Sequence, residues 1–128
     1  MRVNSGTDFQ AAQLGGSAAA QSASFMALTA SVVAPAAGDT ALAGEYVVAG
    51  SGLLRVLAAY AHTAGVASYT LTKTYTGTAS DTYPSTVGKI GVLNAGAAGV
   101  LMFETLLNAV ATLNAVGDAV TVTETVTM

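Results

Sequence analysis

The C-terminal segment of the chain constrains its fold more than any other. From Val120 to Met128, threonine occupies every second position, and the positions between hold valine, with Glu124 and the final methionine as the other members. Side chains alternate between the two faces of a β-strand, whereas a helix would scatter these valines around its axis. The segment therefore predicts a strand with a threonine face, opposite a face that places Val120, Val122 and Val126 in the core.

Glu124 is the one charged residue on the valine face of this predicted strand. Three explanations fit the pattern: a place near the end of a sheet, an ion pair with Lys73 or Lys89, or contact with a partner. The sequence leaves all three open.

A second alternating segment predicts another strand. Tyr69, Leu71, Lys73 and Tyr75 alternate with threonines at residues 70–76, and aromatic, β-branched and threonine residues favour strands. Shorter apolar runs predict strands at residues 25–33 and 87–93.

Two segments are less clear. Residues 53–63 suit either a helix or a strand. From Val100 onward the chain favours strand, turn and strand, because Asn108 and residues 114–118 interrupt it, although the leucine spacing also fits a helix stripe.

The count reaches about seven strands, with turns every 8–15 residues after residue 50 and no alternation of strands with helices. This pattern predicts a mainly β protein, an antiparallel β-sandwich or small barrel, formed by residues 25–128.

Residues 1–24 contain few large side chains and predict an extended N-terminal arm. Thr7 and Gln10 have the spacing of a capping box, and Gly15 supplies a stop, so a short helix over residues 8–14 is one interpretation and a flexible tail is the other. A helix this short needs a surface to bind, on its own domain or on a neighbouring subunit. We expect Phe9, Leu14 and Phe25 to make those contacts.

Charge and composition exclude several classes of function. Charged residues make up 9 % of the chain, with four basic and seven acidic residues and a net charge of −3. Four scattered basic residues cannot neutralise a run of phosphates, which argues against nucleic-acid binding. The chain has no cysteine, and no apolar run reaches the roughly 18 residues of a membrane-spanning helix.

The sequence offers little catalytic chemistry. His62 is the only histidine, and we interpret it as a structural histidine near a strand end, because no partner nucleophile or orienting carboxylate accompanies it. The carboxylates lie far apart and predict no metal site, and the glycines do not form a phosphate-binding loop. We therefore expect a non-enzymatic protein without cofactors. Tyr83, beside a proline in a polar loop, is a candidate contact residue for a protein or sugar partner.

A surface this poor in charge favours a subunit of an assembly over a free monomer. With so few charges, electrostatic repulsion between monomers in solution is weak. Strands rich in threonine, valine and alanine also leave their edges open to pairing. Neighbouring subunits would cover both. The final strand and the N-terminal arm are natural segments for such contacts.

Residues 53–128 resemble small β-rich structural proteins of tailed bacteriophages. The resemblance rests on Tyr60-Ala61-His62-Thr63, the alternating strand at 69–76, the run Ile90-Gly91-Val92-Leu93-Asn94-Ala95, and Gly117-Asp118 before the final Thr/Val strand. It is a resemblance to capsid decoration (cement) proteins and to tail or head fibre proteins, and it implies no catalytic residues.

The resemblance leads us to expect a decoration protein on the capsid exterior of the virion. Its partners would be the major capsid protein and copies of itself, with a trimer expected because such sites often lie at local symmetry axes. The alternative is a tail-tip or fibre module that exposes residues 80–83 to a host receptor.

Overall fold

The computed structural model describes residues 1–15 and 22–128 of the chain. Within them lie one helix and seven strands: α1 (Asn4–Leu14), β1 (Phe25–Thr29), β2 (Val56–Leu57), β3 (Ala59–His62), β4 (Ser68–Thr76), β5 (Ser85–Leu93), β6 (Leu101–Leu113) and β7 (Ala119–Thr127). None of the helices in these residues is long and apolar enough to span a membrane.

The strands form two antiparallel sheets. The four-stranded sheet has the order β2-β1-β5-β6, and the three-stranded sheet has the order β3-β4-β7. The two sheets do not close into a barrel, so the fold is the β-sandwich of the two predicted architectures. The chain passes from one sheet to the other at Ala58, which is buried between β2 and β3.

The main core lies between the sheets and is built from the alternation seen in the sequence. The inner face of the three-stranded sheet contributes Leu71, Tyr75 and Val122, and β1 and β5 contribute apolar residues from the opposite side. Val122 and Val126 are buried, and Val120 packs against the core, as predicted. The hydroxyl of Tyr75 donates a 2.8 Å hydrogen bond to the carbonyl of Met26, which links the sheets through the core. Burial raises the pKa of this phenol.

The ambiguous segments resolve as strands with local irregularities. Residues 53–63 contain β2 and β3 instead of a helix. The predicted strand, turn and strand are present as β6, the turn at residues 114–118 and β7. The predicted interruption at Asn108 is wrong, because β6 runs through it without a turn. Lys89 pairs with Leu106 and Val87 with Ala111, so β6 has extra residues between those pairs. The sheet accommodates Asn108 in this bulge.

The N-terminal segment folds back on its own sandwich. Met1 to Val3 run along the edge of β6: the amide of Glu104 donates to the carbonyl of Met1 at 2.9 Å, and the amide of Val3 donates to that of Met102 at 3.1 Å. Helix α1 then packs on β6. It ends where predicted but begins at Asn4, because the carbonyl of Val3 accepts the first helical hydrogen bonds in place of the predicted cap at Thr7.

The outer face of the four-stranded sheet is thereby covered. A second apolar cluster on that face joins residues of the N-terminal segment, the loop after β1 and the sheet: Val3, Ala27, Leu42, Leu93 and Leu101. The loop is fastened at two points, where the hydroxyl of Thr29 donates to the carbonyl of Ala43 at 2.8 Å and the amide of Asn4 donates to that of Ala37 at 2.9 Å. We call residues 1–14 and 30–44 the covering segments.

Candidate interaction surface

The outer face of the three-stranded sheet carries a regular array of threonines. We call this array the threonine face; it consists of Thr70, Thr72, Thr74 and Thr76 of β4 with Thr121, Thr123, Thr125 and Thr127 of β7. Its rows are set by the antiparallel register of the two strands. Along each strand the threonines repeat every two residues, about 6.8 Å, and the strands lie about 4.8 Å apart. The face is therefore a regular lattice of methyl and hydroxyl groups.

Cross-strand pairs hold the threonine hydroxyls in place. The hydroxyl oxygens of Thr74 and Thr121 lie 2.7 Å apart, and those of Thr72 and Thr123 lie 3.2 Å apart. Each pair satisfies part of its own hydrogen-bonding capacity within the sheet, so a partner has less polar surface to desolvate. The face is thereby suited to contact with another uncharged surface.

Charged side chains on β4 and β7 point the other way. Lys73 and Glu124 alternate with the threonines and so lie on the inner face, toward the other sheet. The carboxylate of Glu124 accepts a 2.7 Å hydrogen bond from the hydroxyl of Thr105 on β6. Of the three explanations for this residue, the structure shows an internal role that links β7 to the other sheet, with Thr105 in place of the expected lysines.

The edge of β7 is open along its whole length in the described residues. Beyond β7 the three-stranded sheet has no further strand. The backbone shows which groups face outward: the amide of Met128 donates to the carbonyl of Ala67, and that of Gly77 donates to that of Asp118, both at 2.8 Å. Bonded and non-bonded pairs alternate in an antiparallel ladder. The residues whose N–H and C=O groups point away from β4 are therefore the threonines, Thr121, Thr123 and Thr125 among them.

A groove runs between the two sheets below this edge. Two cavities of about 670 and 700 Å³ share Tyr69, Met102 and Met128 as lining residues. Arg2 and Glu124 line one of them, and His62 lines the other. The floor is therefore mainly apolar, with single polar groups spread along it.

His62 occupies the position that the sequence predicted. It is the last residue of β3 and is exposed, and its Nδ1 donates a 2.9 Å hydrogen bond to the carbonyl of Ser68 on the neighbouring strand. This contact fastens the β3–β4 turn. Within residues 1–15 and 22–128, no three histidine or acidic side chains come together as metal ligands.

The four predicted contact residues have different surroundings. Phe9 and Leu14 belong to α1, but their side chains lie outside the described part of the structure. Phe25 begins β1, and its half-buried ring lies against Gly96 of the β5–β6 turn. The ring of Tyr83 packs on the core, and its hydroxyl donates a 2.7 Å hydrogen bond to the carbonyl of Thr78. Tyr83 is thus engaged within its own loop, and contact with a partner stays a prediction for all four.

A carboxylate organises the loops at one end of the sandwich. Asp81 accepts hydrogen bonds from the hydroxyl of Ser51, the amide of Gly52 and the amide and hydroxyl of Thr78. Burial acts to raise the pKa of Asp81, but these hydrogen bonds outweigh it and lower the pKa below its usual value. The loop that contains Tyr83 is therefore fixed to the loop before β2.

An ion pair between Arg55 and Glu45 fixes the loops at the opposite end of the sandwich. Arg55 binds Glu45 through two nitrogens, at 2.8 and 2.6 Å, and also donates to the carbonyls of Ala95 and Ala98 in the β5–β6 turn. A bidentate guanidinium–carboxylate pair has a defined geometry. It fixes this turn to the loop that precedes β2.

Beneath the covering segments lies a buried ion pair. Nζ of Lys89 on β5 is 3.2 Å from Oε1 of Glu104 on β6, and the two residues are 2 % and 1 % exposed. Desolvation by burial, together with the nearby carboxylate of Asp39, raises the pKa of Glu104 in spite of the lysine. The hydrogen bond from the amide of Ala36 lowers that of Asp39. The pattern of apolar and polar residues around Lys89 and Glu104 does not predict that the covering segments bury both charges.

No protein-family model matches this chain, and no curated protein matches it. The functional proposal therefore rests on the surfaces of the molecule and on the resemblance seen in its sequence.

Proposed function

We propose that this chain is a non-enzymatic structural protein of a bacteriophage virion, which decorates the capsid exterior and bridges capsid subunits. The observation that carries the proposal is the bare threonine face, which is regular and free of charged side chains over two nine-residue strands. The phage resemblance of residues 53–128 supplies the class of assembly. The major capsid protein is the proposed partner, and we place the threonine face against it.

The mechanism we propose is mechanical. Each molecule buries its threonine face across a boundary between capsid subunits, and separation of the subunits then requires that face to be exposed again. Apolar burial contributes about 25 cal/mol per Å² as an upper scale, reduced by the cost of ordering. A single contact is modest, and many copies in a symmetric array add their contributions.

Rigid loops support a role of this kind. The hydrogen bonds of Asp81 and the Arg55–Glu45 ion pair hold the loops at the two ends of the sandwich in fixed positions. A preorganised surface loses less conformational entropy on binding than a mobile one. The sandwich can therefore act as a rigid bridge.

The alternative of a tail-tip or fibre module rests on the loop at residues 80–83. Asp81 and Tyr83 both direct their polar groups into that loop, which leaves Ser80 and Thr82 exposed. The threonine face is the larger and more regular surface, so we favour capsid decoration.

The test adds purified protein to capsids assembled without it and measures binding and the temperature of capsid rupture. We expect saturable binding at many copies per capsid and a higher rupture temperature. Thr74→Lys places a charge at the centre of the threonine face and should weaken binding at least tenfold. Val47→Lys, which adds the same charge at a residue 74 % exposed elsewhere, should bind like the wild type.

Absence of binding, or an unchanged rupture temperature at full occupancy, would overturn the capsid proposal. Equal loss of binding in the two lysine variants would overturn the assignment of the threonine face. A copy number of only a few per virion would favour the tail-tip alternative.

A further inference from the structure

We infer that β7 pairs edge to edge with β7 of a second copy of this chain, antiparallel and about a two-fold axis beside Thr123. This inference concerns contact between copies and holds whichever surface the protein decorates. It starts from a contrast among the edges of the two sheets.

The other edges are short or already covered. Strand β2 has two residues and β3 has four. The first part of β6 is paired with Met1 to Val3, and its second part contains the bulge around Asn108. Short strands, bulges and covering segments are the usual means of keeping a sheet edge from pairing with another chain.

Within residues 1–15 and 22–128, nothing gives strand β7 any of these protections. It is nine residues long and regular in its register with β4. It contains no proline or lysine, and its single charge, Glu124, turns inward to Thr105. The N–H and C=O groups of its threonines therefore form an unguarded row at the edge, whose natural complement is another extended strand.

The pattern of outward groups selects the register of a self-pair. In an antiparallel pair, a residue whose N–H and C=O groups point toward the partner strand must lie opposite another residue of that kind. An axis beside Thr123 satisfies this rule, places Thr121 opposite Thr125 of the second copy, and overlaps all nine residues. Glu124 then faces Val122 of the second copy instead of another glutamate, so the register avoids a like-charge pair.

A two-fold pair also closes the open edge. Each copy uses the same strand, so the contact ends with two molecules and does not propagate into a fibre. The two three-stranded sheets become one six-stranded sheet, and their threonine faces become continuous. A second copy is favoured over an unrelated strand because its length, register and charge placement match β7 along the whole edge.

The expected strength is low. One strand pair buries less than the roughly 1,200 Å² of the smallest standard interfaces. The pair should therefore form in a concentration-dependent way in solution and become stable where an array holds copies together.

The test is sedimentation equilibrium of the full chain over a wide concentration series, beginning at micromolar levels. We expect a monomer–dimer equilibrium. Thr123→Lys places two ammonium groups beside the axis and should raise the dimer Kd at least tenfold. Thr74→Lys adds the same charge to the same face on the central strand, away from the edge, and should dimerise like the wild type.

A second variant, Thr123→Pro, removes one outward N–H and should also abolish the dimer. Circular dichroism confirms that each variant remains folded. A monomer at every concentration, or a dimer or trimer equally insensitive to both β7 changes, would overturn the inference. Failure of the capsid proposal would appear separately, as dimers that form normally and do not bind capsids.

Discussion

The two sheets of the sandwich differ in how their outer faces meet the solvent. Each has an inner face in the common core, but the outer face of the four-stranded sheet is hidden by the covering segments, whereas the threonine face is bare. The hidden face holds Lys89 and Glu104, both almost inaccessible to water. The bare face holds no charged side chain at all on β4 or β7.

The charged residues lie on the covered face and the uncharged residues on the bare face, which suggests that one sheet serves folding and the other serves assembly. Charges under a cover must be paired, because a buried charge without its partner strongly destabilises the fold. An uncharged face in the open contributes little to the stability of the monomer, and it is ready to be covered by something else. We therefore assign the covered sheet to the fold and the bare sheet to the partner.

The largest effect should come from the buried pair. Lys89→Met leaves the carboxylate of Glu104 buried without its cation, so we expect a loss of about 3 to 5 kcal/mol in the free energy of unfolding, measured by urea denaturation. The double variant Lys89→Met/Glu104→Leu should recover most of that loss. A single-variant cost below about 1 kcal/mol would mean that water reaches the pair and that the cover is loose.

The next effect concerns the docking of α1. A β-carbon at Gly6 would overlap the carbonyl of Met102, so Gly6→Ala must displace the helix from β6 at a cost of about 1 to 3 kcal/mol. Alanine also favours a helix over glycine by up to about 1 kcal/mol, which leaves a net loss. We expect lower stability together with faster proteolysis of residues 1–14. Gly38→Ala, which meets open space, is the matched control and should change neither.

The covered sheet should also respond to pH. Because burial raises the pKa of Glu104 above its ordinary 4.5, the folded state holds this proton more tightly than the unfolded state. Stability from this group should fall as pH rises from 4.5 toward the raised pKa and then level off. Asp39, whose pKa is lowered by the amide of Ala36, acts in the opposite sense at lower pH.

Urea denaturation at a series of pH values measures this dependence. In the Glu104→Gln variant the neutral amide resembles the protonated carboxyl, so the decline in stability above pH 4.5 should be absent. A decline of equal slope in wild type and variant would assign the proton to another group.

The smallest effect belongs to the bare sheet. Thr74→Ala removes one partner of the hydroxyl pair with Thr121 and should cost about 0.2 to 1 kcal/mol. Thermal unfolding of the dilute monomer measures it. A loss comparable to that of Lys89→Met would show that the threonine face serves the fold and not the partner.

The bare sheet was the more predictable of the two. Strict alternation at residues 69–76 and 120–128 predicts its two long strands, and alternation alone places the threonines together on one face. The inward positions of Val122 and Val126 follow from the same rule. Gly15 likewise predicts a helix stop, and α1 ends at Leu14.

The covered sheet was less predictable because its contacts are long-range. Nothing near Lys89 in the sequence indicates that it will form an ion pair with Glu104 of the neighbouring strand or that residues 30–44 will fold over both. The continuation of β6 through Asn108 depends on a bulge against β5, which propensity does not encode. Start signals at Thr7 were outweighed by the pairing of Met1 to Val3 with β6.

Amide hydrogen exchange on β7, followed residue by residue by NMR, tests the central claim most directly. In dilute protein, the amides of Val122 and Glu124 should exchange slowly because they bond to β4, while those of Thr121, Thr123 and Thr125 should exchange quickly. In concentrated or capsid-bound protein, the threonine amides should become protected and the others should stay as they were. Threonine amides that exchange equally fast in all three states would contradict the pairing of β7 between copies.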